Sequence, residues 1–255
     1  MSSNSPICGI RLTLFLTCVS FAHAQPASSS TDPAPFDVDG ILVNAKVFYE
    51  TGQFDSALPR FKAAAEGGSV EAMMYLGLMH ARGQGMPLDY AQAMTWFRKA
   101  AASGDGQAMC NIGILYFQGL GVPQRYDEAM RWFRDAAGAN NDQAMFNIGV
   151  FHRDGLGVPV NYGEAMKWFL RAADAGNDLA MNSIGVMYEK GQGVPVDYAE
   201  AMKWYRRAAA YGNAAAMQNI AALYENGLGV PKDAVEAHKW HLKAEDANRS
   251  EPVDK

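Results

Sequence analysis

Residues 193–209 read GVPVDYAEAMKWYRRAA, and residues 157–173 read GVPVNYGEAMKWFLRAA. The 36-residue offset between the two stretches recurs along the chain. A grid started at Glu71 lays out five blocks, 71–106, 107–142, 143–178, 179–214 and 215–250, without an insertion or a deletion. Eight positions are identical in all five, among them Ala72, Met73, Gly83, Pro87, Ala93, Trp96 and their copies. A fixed period of this length marks a solenoid, in which each block can bury its apolar face only against its neighbours.

Within a block the pattern is two helices and a turn. In block three, Ala144, Ile148, Phe151 and His152 stand three and four residues apart and lay an apolar stripe on a helix from Gln143 to about Arg153. Gly155-Leu-Gly-Val-Pro159 ends it, because glycine supplies a left-handed cap and proline cannot continue a helix. The second helix opens on Asp or Asn followed three residues later by Glu or Gln, as in Asn161 and Glu164, Asp197 and Glu200, Asp233 and Glu236, Asp89 and Gln92. This is a capping-box pattern, whose two side chains answer backbone N–H groups that the first turn leaves open. Block two has Arg125 at that place and lacks the device. Gly104, Asn140, Gly176 and Gly212 then end the second helix at a residue that tolerates positive φ. Four interior glycines, Gly77, Gly113, Gly149 and Gly185, each cost about 1 kcal/mol relative to alanine, so a steric reason is expected. The expected reason is a Trp or Tyr ring packed on bare backbone.

The two ends depart from the grid. Residues 37–70 keep Ala57 and Phe61 in register with a turn five residues shorter, which reads as a degenerate N-terminal half-cap with Pro59 near a helix start. At the other end His238 and His241 replace a methionine and an aromatic, giving the last repeat a polar outer face. The first 24 residues carry one charge, Arg11, then the apolar run Leu12–Phe21, then Ala22-His23-Ala24 before Gln25. They read as a signal peptide cleaved after Ala24, too short to span a bilayer, and imply a periplasmic or secreted protein. Residues 25–36 have the composition of a flexible linker, and 251–255 form a short tail.

Cleavage removes one arginine and no acid, leaving 21 basic against 27 acidic residues. That balance argues against nucleic acid or an anionic membrane as partner, since both demand clustered Lys and Arg. It also removes Cys8 and Cys18, and the remaining Cys110 has no internal disulfide partner, so packing alone must hold the fold.

The block x-Ala-Met-x-x-Ile-Gly-x-x-Tyr-x-x-Gly-x-Gly-Val-Pro-x-Asp-Tyr-x-Glu-Ala-Met-Lys-Trp-Phe-x-x-Ala-Ala resembles the Sel1-like repeat (SLR), a relative of the tetratricopeptide repeat, over 71–250 and loosely over 41–70. The resemblance implies an all-α, right-handed α/α solenoid of 36-residue helix pairs whose first helices line a concave face that binds proteins or peptides. The paired cysteines that staple one secreted branch of the family are absent from this sequence.

Chemistry competes poorly with scaffold. All five tryptophans share one repeat position, which points to core packing over a sugar or nucleotide platform. His238 and His241 have feasible metal-ligand spacing, but only Glu245 and Asp246 could add ligands, and a solvated cap explains them equally well. His80 and His152 stand in a column that is Tyr116, Tyr188 and Tyr224 elsewhere. The Gly-x-Gly turn follows a helix and lacks a third glycine, so it is no dinucleotide fingerprint. Cys110 has no His placed to activate it. No cofactor and no catalytic residue is therefore assigned.

Specificity must lie where the blocks differ on the concave face that the resemblance implies. The fourth column is Met74, Cys110, Phe146, Asn182 and Gln218; the fifth is Tyr75, Asn111, Asn147, Ser183 and Asn219; the eleventh is Ala81, Phe117, Arg153, Glu189 and Glu225. The expectation is a peptide groove with an apolar end on Met74, Phe117 and Phe146, and a polar end on Asn182, Gln218, Glu189 and Glu225. Asn111, Asn147 and Asn219 would hydrogen-bond the ligand backbone. The function expected is an exported, non-catalytic scaffold for a protein or peptide. An envelope enzyme acting on peptidoglycan or another cell-wall glycan, and a secreted effector engaging host proteins, are the alternatives.

Overall fold

A computed structural model describes residues 37–250; the expected signal peptide 1–24, the expected linker 25–36 and the expected tail 251–255 lie outside the described residues. Twelve α-helices and no strand occur among them. They form six pairs: α1 (Val38–Glu50) with α2 (Phe54–Glu66), α3 (Val70–Arg82) with α4 (Tyr90–Ala102), α5 (Gly106–Gln118) with α6 (Tyr126–Gly138), α7 (Asp142–Asp154) with α8 (Tyr162–Asp174), α9 (Asp178–Lys190) with α10 (Tyr198–Ala210), and α11 (Ala214–Asn226) with α12 (Ala234–Ser250). Each helix packs most extensively on its pair mate and then on the next helix in the chain, the one-dimensional contact order of a solenoid. Residues 37–70 thus form a complete helix pair, not half of one. Pro59 is the sixth residue of α2, deeper than expected, and it removes the donor that would meet the Asp55 carbonyl. Both residues are exposed.

The turns follow the sequence rules. Gly83, Gly119, Gly155, Gly191 and Gly227 cap the first helices in the left-handed region, with φ of 67–73°. The second glycine of each turn marks a contact between repeats: a Cβ on Gly121, Gly157, Gly193 or Gly229 would come within 2.6–2.7 Å of the Cβ of Tyr90, Tyr126, Tyr162 or Tyr198 in the preceding repeat. Only half of the capping box forms. Asn161 and Asp197 accept from the N–H of Glu164 and Glu200 at 3.0 and 2.9 Å. The return bond is not needed, because the cap residue's own N–H already donates to the preceding first helix, Asn161 to the His152 carbonyl and Asp197 to the Tyr188 carbonyl. The glutamates turn instead to Lys167 and Lys203, at 2.7 Å each. Arg125 caps nothing and pairs with Asp127 at 2.6 Å.

The core differs from expectation in one column. The tryptophans are half-buried, and the next residue, Phe97, Phe133, Phe169 or Tyr205, is the one fully enclosed. These rings explain the interior glycines, since a Cβ on Gly77, Gly113, Gly149 or Gly185 would lie 2.4–2.6 Å from a ring carbon of its partner. Burying each ring contributes about 1.5–3 kcal/mol, enough to outweigh the glycine's helix penalty.

Candidate functional site

The first helices position all three variable columns, and the structure sorts them by depth. In the fourth column Met74 and Cys110 are buried, Phe146 and Asn182 half-buried, and Gln218 exposed. In the fifth, Tyr75, Asn111, Asn147 and Ser183 are buried and Asn219 half-buried. In the eleventh, Ala81 is buried, Phe117, Arg153 and Glu189 are half-buried, and Glu225 is exposed. Accessibility therefore rises toward the C-terminal repeats in every column.

Residues expected to meet a ligand in the first blocks are occupied by the protein itself. Tyr75 stacks on Phe61 with ring centres 4.7 Å apart. Asn111 Oδ1 accepts from Gln107 at 3.2 Å, and Asn147 accepts from Gln143 at 3.3 Å while donating to Cys110 Sγ at 3.8 Å. Burial pushes the Cys110 thiol far above its usual range and keeps it protonated, so it supplies no thiolate nucleophile. Phe117 leans on Phe151 and Tyr126, at 5.5 and 5.9 Å, and Phe146 on Phe169 at 5.7 Å.

The polar half stays open but is internally braced. Asn219 Nδ2 donates to Asn182 Oδ1 at 3.0 Å, joining α11 to α9. Arg153 holds its neighbour Asp154 through two bonds of 2.6 and 2.8 Å. The Tyr205 hydroxyl, carried in by α10, donates to Glu189 Oε2 at 2.5 Å; burial and this carboxylate together drive the phenol pKa upward. His241 Nε2 lies 3.0 Å from Glu225 Oε1. Tyr205, its ring fully enclosed, thus reaches the surface through its hydroxyl alone, while His241 is half-buried at the last repeat. The available signal was coincidence: the ring position leaves Phe in the two blocks where the eleventh column becomes Glu.

Among the described residues no group of three His, Cys, Asp or Glu side chains could hold a metal ion. His241 is engaged by Glu225, and Glu245 and Asp246 both face Arg249. No helix among the described residues is long and apolar enough to cross a membrane.

Residues 70–105, 106–141, 142–177, 178–213 and 214–248 each match the Sel1 repeat. A Sel1 repeat protein from Oxalobacter formigenes is 32% identical with a TM-score of 0.75, over 80% of this chain and 84% of that one. A protective antigen from uropathogenic Escherichia coli strains, displaying an SLR fold, is also 32% identical with a TM-score of 0.72, over 83% of this chain and 46% of that one. An immunity protein from Pseudomonas aeruginosa, 16% identical with a TM-score of 0.58 over 87% and 90% of the two chains, shares the fold alone. None of the curated proteins matches the chain. The chain belongs to the Sel1 repeat family, whose α/α solenoids serve as scaffolds for protein interactions.

Proposed function

We propose that this Sel1 repeat protein is an exported, non-catalytic adaptor that seats a protein or peptide segment along the first helices of its last three full repeats. The observation that carries the reading is the rise in accessibility along columns whose residues change from block to block, while the invariant alanine columns of Ala72, Ala93 and Ala100 stay buried in every block. Phe146 offers an apolar anchor, Asn182, Gln218 and Asn219 offer amides that both donate and accept, and Glu189 and Glu225 add negative charge. Since Tyr205 and His241 brace the two glutamates, the surface is preorganised and little side-chain entropy is lost on binding. Export rests on the composition of residues 1–24.

The adaptor reading is tested by crosslinking in the native cell with Phe146→Asp and with Gln218→Arg. Phe146 is half-buried, so the exposed Gln218 provides the variant that leaves the core untouched. Loss of the crosslinked partner with unchanged helicity is expected for both, and retained capture by both would sink the reading. Export is tested by the mass of the protein in the cell-envelope fraction, which should begin at Gln25.

A further inference from the structure

The second helices carry two columns of cations that are treated differently. Lys167, Lys203 and Lys239 on α8, α10 and α12 each pair with a glutamate three residues earlier, at 2.7–2.9 Å. Four residues further on, the same helices present Arg171, Arg207 and Lys243, all exposed. Arg171 and Lys243 form no ion pair among the described residues, and Arg207 has one long pair to Asp174, at 3.8 Å, beside a bond it donates to the Ala173 carbonyl at 3.2 Å. Each lies over the tryptophan three residues before it, with the charged head 4.3, 5.1 and 4.0 Å from the ring centre of Trp168, Trp204 and Trp240. Block two has Asp135 at this position, and there Arg131 covers Trp132 instead, at 5.3 Å. A cation over the ring is thus kept even where its usual position is lost.

Shielding the ring from water would account for the stacking. It does not account for glutamates being supplied to one column and withheld from the other on the same helices. Heads held over rings, two of them without an ion-pair partner and the third with only a long one, form a row prepared for an external anion.

We propose that Arg171, Arg207 and Lys243 form a second docking surface, on the outer side of the solenoid, for an extended acidic segment of a protein partner. Charge and spacing both select this occupant. Stacked helix pairs repeat at about 8–10 Å. A polyproline II chain advances about 3.1 Å per residue with three residues per turn, so every third side chain points the same way and recurs at about 9 Å. A carboxylate at every third residue therefore meets one cation per repeat. A broad polyanion such as a nucleic acid or an anionic membrane would also press on Glu164, Glu200 and Glu236, which flank the row one to two turns away.

The test uses the protein with residues 1–24 removed and fluorescence anisotropy at low salt, where exposed charges are least screened. The probe is a short labelled peptide repeating Glu-Pro-Ser, compared with an isomer of the same composition whose glutamates are contiguous. The repeating peptide should bind about fivefold more tightly than the isomer. Arg171→Gln, Arg207→Gln and Lys243→Gln together should weaken it about tenfold, whereas Lys167→Gln, Lys203→Gln and Lys239→Gln, an equal change of charge on the same helices, should weaken it less than about twofold. Both triple variants are checked for unchanged helicity. The proposal is overturned if the repeating peptide does not bind, if the two peptides bind alike, if the two triple variants lose equally, or if single-stranded DNA or phosphatidylglycerol vesicles bind as tightly as the repeating peptide.

Discussion

Blocks one and five are built to one plan and differ in what fills the space between their helices. In block one the fully buried Phe97 lies on the bare backbone of Gly77, and Ala81 closes the end of α3. In block five His241 stands where Phe97 does, Ala221 replaces the glycine, and Glu225 replaces Ala81 and bonds the imidazole. Block four lies between them, with a ring on Gly185 but a hydroxyl on that ring answered by Glu189. Three columns therefore behave as one unit, apolar and closed at the first repeat, polar and open at the last. Polarity at the C-terminal end first satisfies the protein's own groups, and only the remaining valences are offered outward.

Substitutions can break this contrast. Phe133→Ala should cost about 3–5 kcal/mol in urea unfolding, while His241→Ala, at the half-buried terminal position, should cost far less. If the two were equal, the closed and open ends would not be physically distinct. Gly149→Ala should destabilise by about 1–3 kcal/mol because the methyl enters the Phe169 ring. The reverse change Ala221→Gly should cost only the helix propensity, about 1 kcal/mol. Tyr205→Phe should cost about 1–2 kcal/mol by stripping Glu189 of its donor, and a cycle with Glu189→Leu should show that the two losses do not add.

A pH effect should appear at the first and third full repeats, through His80 and His152. His80 and His152 have lowered pKa values, chiefly through burial, with Lys62 and Arg134 lowering them further and Asp89 and Glu164 acting in opposition. Tyr116 and Tyr224 occupy the same column and bond Arg98 and Arg206 at 3.0 Å. A histidine whose folded pKa is depressed contributes stability above its unfolded value of 6.5, and that stability is lost as pH falls below it. Thermal melts should therefore drop on acidification from neutrality, and His80→Tyr with His152→Tyr should flatten the drop. The smallest effect is Arg125→Asn, which restores the missing cap and should raise stability by about 0.5–1 kcal/mol.

The fold was legible because its determinants are local and recur. Gly155 and Pro159 end a helix by their own backbone restrictions, and Asn161 caps one through its own side chain, whatever lies across the repeat. Depth was not legible. Trp168 and Phe169 are adjacent and both aromatic, and one helical step of about 100° decides which is enclosed. The same limit applied to the surface. Asn147 and Asn219 share a column, yet the first is buried against Cys110 while the second is half-buried beside Asn182, because the partner one repeat back differs. Burial in a solenoid is set by the neighbouring repeat, so a column read within one block cannot reveal it.

The central claim, that a partner lies along the first helices of blocks three to five, is tested most directly by photo-crosslinking residues placed singly at Asn182, at Gln218 and, as a comparison, at the exposed turn residue Leu88. The account predicts that the same protein is captured from Asn182 and Gln218 in the native cell and is not captured from Leu88. Capture from Leu88 at the same yield, or from neither first-helix position, would contradict it.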